Sequence, residues 1–415
     1  MQRKYILGIV ENLLKDSKYD ENLNMENDEN LNMENDKSLN MEIIKSKKAS
    51  GFRFILLFVP LALQFFFPQT AWGWGRQGHK IVGETAANLV AQDPNLQTQK
   101  LFKQHSFDLG FYCNVPDFIW KRPATYATEK TEHYLNLDSF NKKISLHPEV
   151  QNPFLLNRKE LSEKIPEIKI EDGRALWRLR ELNQKLSETR ENLVVAHQKI
   201  EETKKASNPP PLPANEEKKS SEKNPTSAAL SKNPSTPGSI EKLAEEYKTL
   251  QGHWLVVAGV MCHYIGDLAQ PLHVSENYDG ALTQQKGIHS YFEETCVDEL
   301  YPQISNEVFQ SAKKLWPSFQ KNNSKKSLTE LVLNLATSSY KKIPLLLKLD
   351  QPKNRRHLSK SAQRYHSLIK ERLVEASLTL AEIYRRQSEW PYINEKFYFF
   401  DGEPAYIQPQ DVDSF

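Results

Sequence analysis

Glycine is scarce in this chain, 15 of 415 residues, and the 23 prolines gather in a few segments. An architecture of strands and tight turns needs many of both, so the composition predicts an all-α fold of long helices with few irregular joints. The three cysteines, Cys113, Cys262 and Cys296, are too few for a disulfide framework and have no zinc-finger spacing. Cys262 lies in an apolar run and reads as a small buried side chain, with a Cys113 to Cys296 bridge left open. Charge of one sign is lacking too. The 55 Lys and Arg against 53 Asp and Glu leave a formal charge of +2, which excludes the bulk cationic surface of a dedicated nucleic-acid binder and leaves any polyanion to local recognition. The apolar run over 54–67, broken by Pro60, falls short of the roughly 20 residues of a membrane-spanning helix.

What is present divides the chain. Residues 1–40 end in a repeat, DENLNMEN at Asp20 and again at Asp28, then DKSLNM at Asp36, too polar to bury a core and expected to be disordered. Residues 41–73 have the layout of a secretory signal peptide: Lys45, Lys47, Lys48 and Arg53, the apolar run, then Ala71 and Gly73 flanking Trp72. Cleavage after Gly73 makes Trp74 the first residue of a secreted or periplasmic protein, with Met41 as the initiator. Residues 74–203 and 240–390 read as two parts of one helical domain, separated by a disordered Pro/Ser/Lys-rich insertion over 204–239 that contains Pro209, Pro210, Pro211 and Pro213. Apolar periodicity predicts helices over 78–89, around Leu101, over 170–203, 240–250, 254–265, 327–340 and 361–386. In the last of these Tyr365, Leu368, Ile369, Leu373, Ala376, Leu380 and Ile383 share one face. Residues 391–415 read as an extended tail.

The chemistry concentrates in HYIGDLAQPLH, from His263 to His273. His263 and Asp267 are four apart, so on a helix they project from one face within reach of a single cation. Pro271 ends that helix and places His273 on the next turn. His289 and Glu293 repeat the spacing. A lone His-x-x-x-Asp pair is most often a surface ion pair, but Val256, Val257, Ala258, Val260, Met261 and Ile265 carry this one into the core, where ionisable groups need partners and a metal serves several at once. His79, Asp117 and His133 upstream bring the set to five imidazoles and three carboxylates. Without thiolates, that donor set suits zinc in a catalytic, multinuclear site. The imidazoles disfavour magnesium and leave manganese or iron as lesser alternatives.

These segments resemble the superfamily of zinc-dependent phospholipases C and single-strand-specific zinc nucleases. WGRQGH from Trp74 is similar to the nuclease branch, whereas HYIGDLAQPLHVSEN, the short interval with NYDG and GIHSYFE, and Glu293 in place of Asp look more like the phospholipase C branch. The likeness covers most of residues 74–300 apart from the insertion. It implies a helical bundle around three zinc ions. One is held by Asp117, His133, His263 and Asp267, a second by His273, His289 and Glu293, and a third by the amine and carbonyl of Trp74 with His79 and a bridging Asp267. Val115-Pro116-Asp117 departs from the Trp-Ala-Asp of the nucleases, and their Gly-Gly-Asn and His-x-x-Trp-Asp elements are absent.

Clustered zinc ions supply a nucleophilic water at neutral pH and neutralise phosphoryl charge. The expectation is therefore a monomeric, metal-dependent phosphoesterase in which Asp117 also orients the water. Its substrate is a phospholipid met by transient contact with a membrane surface, with a single-stranded nucleic acid or nucleotide as the alternative. Phe111, Tyr112, Trp120 and Tyr291 are candidate pocket walls or core. A different class, a non-catalytic interaction protein whose metals only hold helices together, predicts an uncleaved leader and closed coordination.

Overall fold

The computed structural model describes residues 74–121, 125–207, 237–393 and 409. The polar repeat, the stretch read as a signal peptide, most of the insertion and most of the tail lie outside the described residues. Among the described residues there is no strand, and no helix is long and apolar enough to cross a membrane. The long helices are α1 (Arg76–Val90), α2 (Gln99–Tyr112), α3 (Ala175–Ser207), α4 (Pro237–Ala269), α5 (Gln303–Asn323), α6 (Leu328–Tyr340) and α7 (Leu358–Gln387).

Helix α4 forms the axis of the core, packing against α2, α3, α6 and α7. Val256, Val257, Ala258, Val260, Met261, Tyr264 and Ile265 are all inaccessible to solvent, as expected of a helix that is apolar on every side. Each aliphatic side chain so buried contributes about 1.5–3 kcal/mol, which fixes the segment carrying His263 and Asp267. Helix α7 lies alongside with the predicted face buried. Two polar tips pin it to α4: the Tyr384 hydroxyl donates to the Ala258 carbonyl at 2.8 Å, and Trp254 Nε1 donates to the Gln387 carbonyl at 3.1 Å. Helix α6 starts at a reciprocal cap in which the Ser327 side chain accepts from the Glu330 amide and Glu330 accepts from the Ser327 amide.

Several boundaries differ from expectation. The helix expected over 170–203 is split, because Ile170–Asp172 is a separate 3-10 turn and Gly173 sits at φ 98°, where a β-carbon would overlap the Tyr134 carbonyl. Helix α3 then runs past Lys204 to Ser207. Helix α4 joins the two stretches read separately over 240–250 and 254–265. Helix α5 was not anticipated, although Ile304, Val308, Ala312 and Trp316 recur every fourth residue on its buried side. The cysteine reading is corrected outright. Cys113 and Cys262 form a disulfide with Cα atoms 5.2 Å apart, and Cys296 is a buried free thiol. The sequence separation of 149 hides the fact that the end of α2 abuts the C-terminal part of α4.

Candidate metal centre

The fold brings all eight predicted side chains into one buried cluster, and none of them is more than 3% exposed. His79 comes from the first turns of α1. His263 and Asp267 come from one face of α4, and His273 from the 3-10 turn Pro271–Val274 that follows it. His133 ends the 3-10 turn Lys130–His133. The two remaining carboxylates sit in widened turns: Asp117 in the π-helical turn Pro116–Trp120, and Glu293 in the π-helical turn Tyr291–Thr295. Such turns break the regular backbone ladder and are common at functional sites. His289 and Glu293 therefore meet across a junction between two kinds of turn, not along the regular α-helix that their spacing suggests.

Asp267 stands at the middle. Its Oδ2 is 3.0 Å from His133 Nδ1 and 3.2 Å from His263 Nε2, while its Oδ1 is 3.4 Å from His79 Nε2 and 3.9 Å from His273 Nε2. Asp117 lies 3.6 Å from His263 and 3.9 Å from His79. Glu293 Oε2 is 3.0 Å from His289 Nε2 and 3.6 Å from His273 Nε2. Three sets of donor atoms thus converge: His79, Asp117 and His263; His133, His263 and Asp267; His273, His289 and Glu293. Ligands about 2.0–2.1 Å from a tetrahedral zinc stand about 3.3 Å apart, so donors at these separations could hold an ion.

The outer contacts reinforce this. Nδ1 of His263 donates to the Cys113 carbonyl at 2.8 Å, Nδ1 of His273 to the His133 carbonyl at 2.8 Å, and Nδ1 of His289 to the Tyr278 carbonyl at 2.7 Å. A backbone carbonyl can only accept, so each bond fixes the proton on Nδ1 and leaves the Nε2 lone pair facing the cluster. Asp267 Oδ1, both nitrogens of His79, His133 Nε2, His273 Nε2 and Glu293 Oε1 are buried without a hydrogen bond. Orphaned polar atoms are costly, and gathered at one point they fit cations.

Burial works against the charge of all three carboxylates, yet each is held below the usual range by its neighbours. The neighbours are His263 and His273 for Asp267, Lys121 and His263 for Asp117, and His289 and His273 for Glu293. Burial pushes down His79, and burial with the Lys121 charge pushes His133 down to about 4, so both are neutral donors at pH 7. For His263 and His273 burial is outweighed by carboxylates, chiefly Asp267, and both rise. Those carboxylates thereby raise the proton affinity of His263 and His273, and Lys121 sits with its Nζ 2.5 Å from Asp117 Oδ1. A bound metal displaces protons from such imidazoles.

No protein family, curated protein or solved structure matches the chain. The helical fold and the three buried groups able to hold metal ions are consistent with the superfamily resemblance, and they stand on the chain's own residues.

Trp74 is fully buried beside His79, its ring 5.3 Å from Phe292, and its carbonyl accepts from the His79 amide at 3.3 Å. Residues before it lie outside the described set. Sequence reasoning missed Gln270, whose Nε2 donates to Glu293 Oε2 at 2.7 Å and whose Oε1 accepts from the Leu272 amide. Its position three residues after Asp267, at the step between the end of α4 and the turn that carries His273, was the available signal. Lys121, four after Asp117, was missed as well. Of the suggested pocket walls, Trp120 and Tyr112 are core and Phe111 and Tyr291 are half-buried; Tyr278, which was not suggested, presents an exposed ring 4.4 Å from that of His289.

Proposed function

We propose that the protein is a secreted, zinc-dependent phosphoesterase that hydrolyses P–O ester bonds, phospholipase C-like in its substrate. The observation that carries this reading is Asp267, a single carboxylate with four imidazoles within 3.9 Å drawn from all three groups. Such a carboxylate would serve more than one bound ion, and phosphoryl transfer draws on clustered cations more than most reactions do. The ligands would be those named from the resemblance, with the amine and carbonyl of a mature Trp74 completing the set around His79.

When bound, zinc ions supply charge neutralisation at the phosphoryl oxygens and a water made nucleophilic at neutral pH. The chain's own residues do the rest. Asp117, anionic beside Lys121, accepts a hydrogen bond from the attacking water and orients it. Lys121 supplies a fixed positive charge at the same edge. Gln270 donates to Glu293 Oε2, the oxygen that also faces His273 and His289, and leaves Oε1 buried without a hydrogen bond. The Tyr278 ring covers His289 and limits access of bulk water there.

The test is hydrolysis by the purified protein of phosphatidylcholine vesicles and of single-stranded DNA, with and without a chelator. Release of phosphocholine that is abolished by chelation and restored by zinc supports the reading. Cleavage of DNA alone would transfer the site to the nuclease branch, and activity unchanged by chelation would overturn it.

A further inference from the structure

We propose that the Cys113–Cys262 disulfide is a positioning device for metal, selective for the groups built on His263; the inference rests on the metal-site reading above. Both cysteines adjoin the ligands. Cys262 immediately precedes His263, and Cys113 is followed four residues later by Asp117. The bond therefore ties the segment carrying Asp117 to the helix carrying His263 and Asp267. The same Cys113 also supplies the carbonyl that accepts from His263 Nδ1 at 2.8 Å. One residue thus holds His263 twice, through its sulfur to the neighbouring position and through its oxygen to the imidazole.

The third face of the arrangement is α1. Cys262 Sγ lies 3.7 Å from the His79 carbonyl, and a β-carbon on Gly83 would stand 3.1 Å from Cys113 Sγ. The disulfide is thus packed beneath the turn of α1 that presents His79, and both cysteines are inaccessible to solvent. His79, Asp117 and His263 all depend on it for relative placement. His273, His289 and Glu293 do not, since their outer contacts go to the carbonyls of His133 and Tyr278 and to Gln270. Reduction breaks the sulfur–sulfur bond and adds two electrons and two protons. With glutathione as reductant, two thiols of the tripeptide become its disulfide, and Cys113 and Cys262 become thiols that need more room than the bond did. Loss of an outer partner of a metal-binding His costs about 10–100-fold in affinity. By reciprocity, metal must then protect the disulfide by the same factor.

The experiment uses the protein as isolated, oxidised, either loaded with zinc or stripped by a chelator and dialysed. Each form is equilibrated in glutathione redox buffers, alkylated, and scored for Cys113 and Cys262 by mass. The loaded form is expected to need a ratio of squared thiol to disulfide about 10–100-fold higher for half reduction. Equal midpoints overturn the proposal. In parallel, a Cys113→Ser, Cys262→Ser variant is titrated with zinc against a chromophoric chelator. Weakening confined to part of the bound zinc supports positioning, because the His273 group retains its affinity. Uniform weakening, or none, overturns it. If the oxidised protein binds no zinc, this inference and the phosphoesterase reading both fall, whereas zinc binding with uncoupled redox midpoints removes this inference alone.

Discussion

Asp267→Asn separates a metal centre from an ordinary buried ion-pair network. The substitution keeps the shape of the side chain and removes its charge. In the metal-free protein the new amide still accepts from one imidazole through its oxygen and donates to another through its nitrogen, and His263 and His273 lose the largest of the carboxylate contributions that raise their proton affinity. The cost there is a difference between hydrogen bonds, about 1 kcal/mol. With zinc the loss is larger, because the central carboxylate lies near donors of all three groups. A 100-fold loss of affinity at a zinc concentration well above the dissociation constant removes about 2.7 kcal/mol of stabilisation. For a folded domain of this size that is a fall of about 5 °C in Tm. Thermal unfolding of wild type and variant at pH 8, each with zinc and with chelator, gives the four values required. The zinc-dependent rise in Tm should shrink by about 5 °C or more in the variant, with little change in chelator. An equal drop under both conditions would show that Asp267 serves only its imidazole partners, and the metal reading would fail.

Other outcomes follow from the same geometry. A chain in which one extra residue precedes Trp74 has no free amine there and should carry about two zinc ions where one starting at Trp74 carries about three, measured by elemental analysis against protein mass. Arg355 donates to the carbonyls of Lys286 and Gln285 at 2.7 and 2.9 Å while pairing with buried Asp350, so it holds the loop leading to His289. Arg355→Lys keeps a charge for Asp350 but loses the fork, and should weaken zinc at the His273, His289 and Glu293 group about 10-fold, leaving the other groups intact in a competition titration. Zinc uptake at pH 6.5 should release protons from His263 and His273, whose affinity for protons is raised by carboxylates despite burial, and none from His133, which burial and Lys121 push down to about 4. Calorimetry in two buffers of different ionisation enthalpy reads the number released, and binding without proton release would contradict the assignment.

How much of this was legible depends on what each feature owes to neighbours in sequence. His263 and Asp267 were readable because both periodicities act within one helix: the four-residue step puts them on a common face, and the apolar residues around them carry that face inward. Long helices such as α7 were readable for the same reason. The Cys113 to Cys262 pairing was not, since it records which helices touch, and nothing local to either cysteine encodes that. Nor were the π-helical turns at Asp117 and Glu293. An inserted residue shifts the register by a fraction of a turn, and hydrophobic periodicity over five residues cannot resolve it. The same shift matters to function. A regular α-helix fixes the offset between side chains four apart, whereas a widened turn lets a carboxylate be set independently of the helix before it. Asp267, in a regular helix, occupies the centre where α4 alone can place it, and the two carboxylates at the ends of the cluster, Asp117 and Glu293, are the ones adjusted by irregular turns. The rigid element sets the position of the centre, and local departures from regularity fit the outer donors to it.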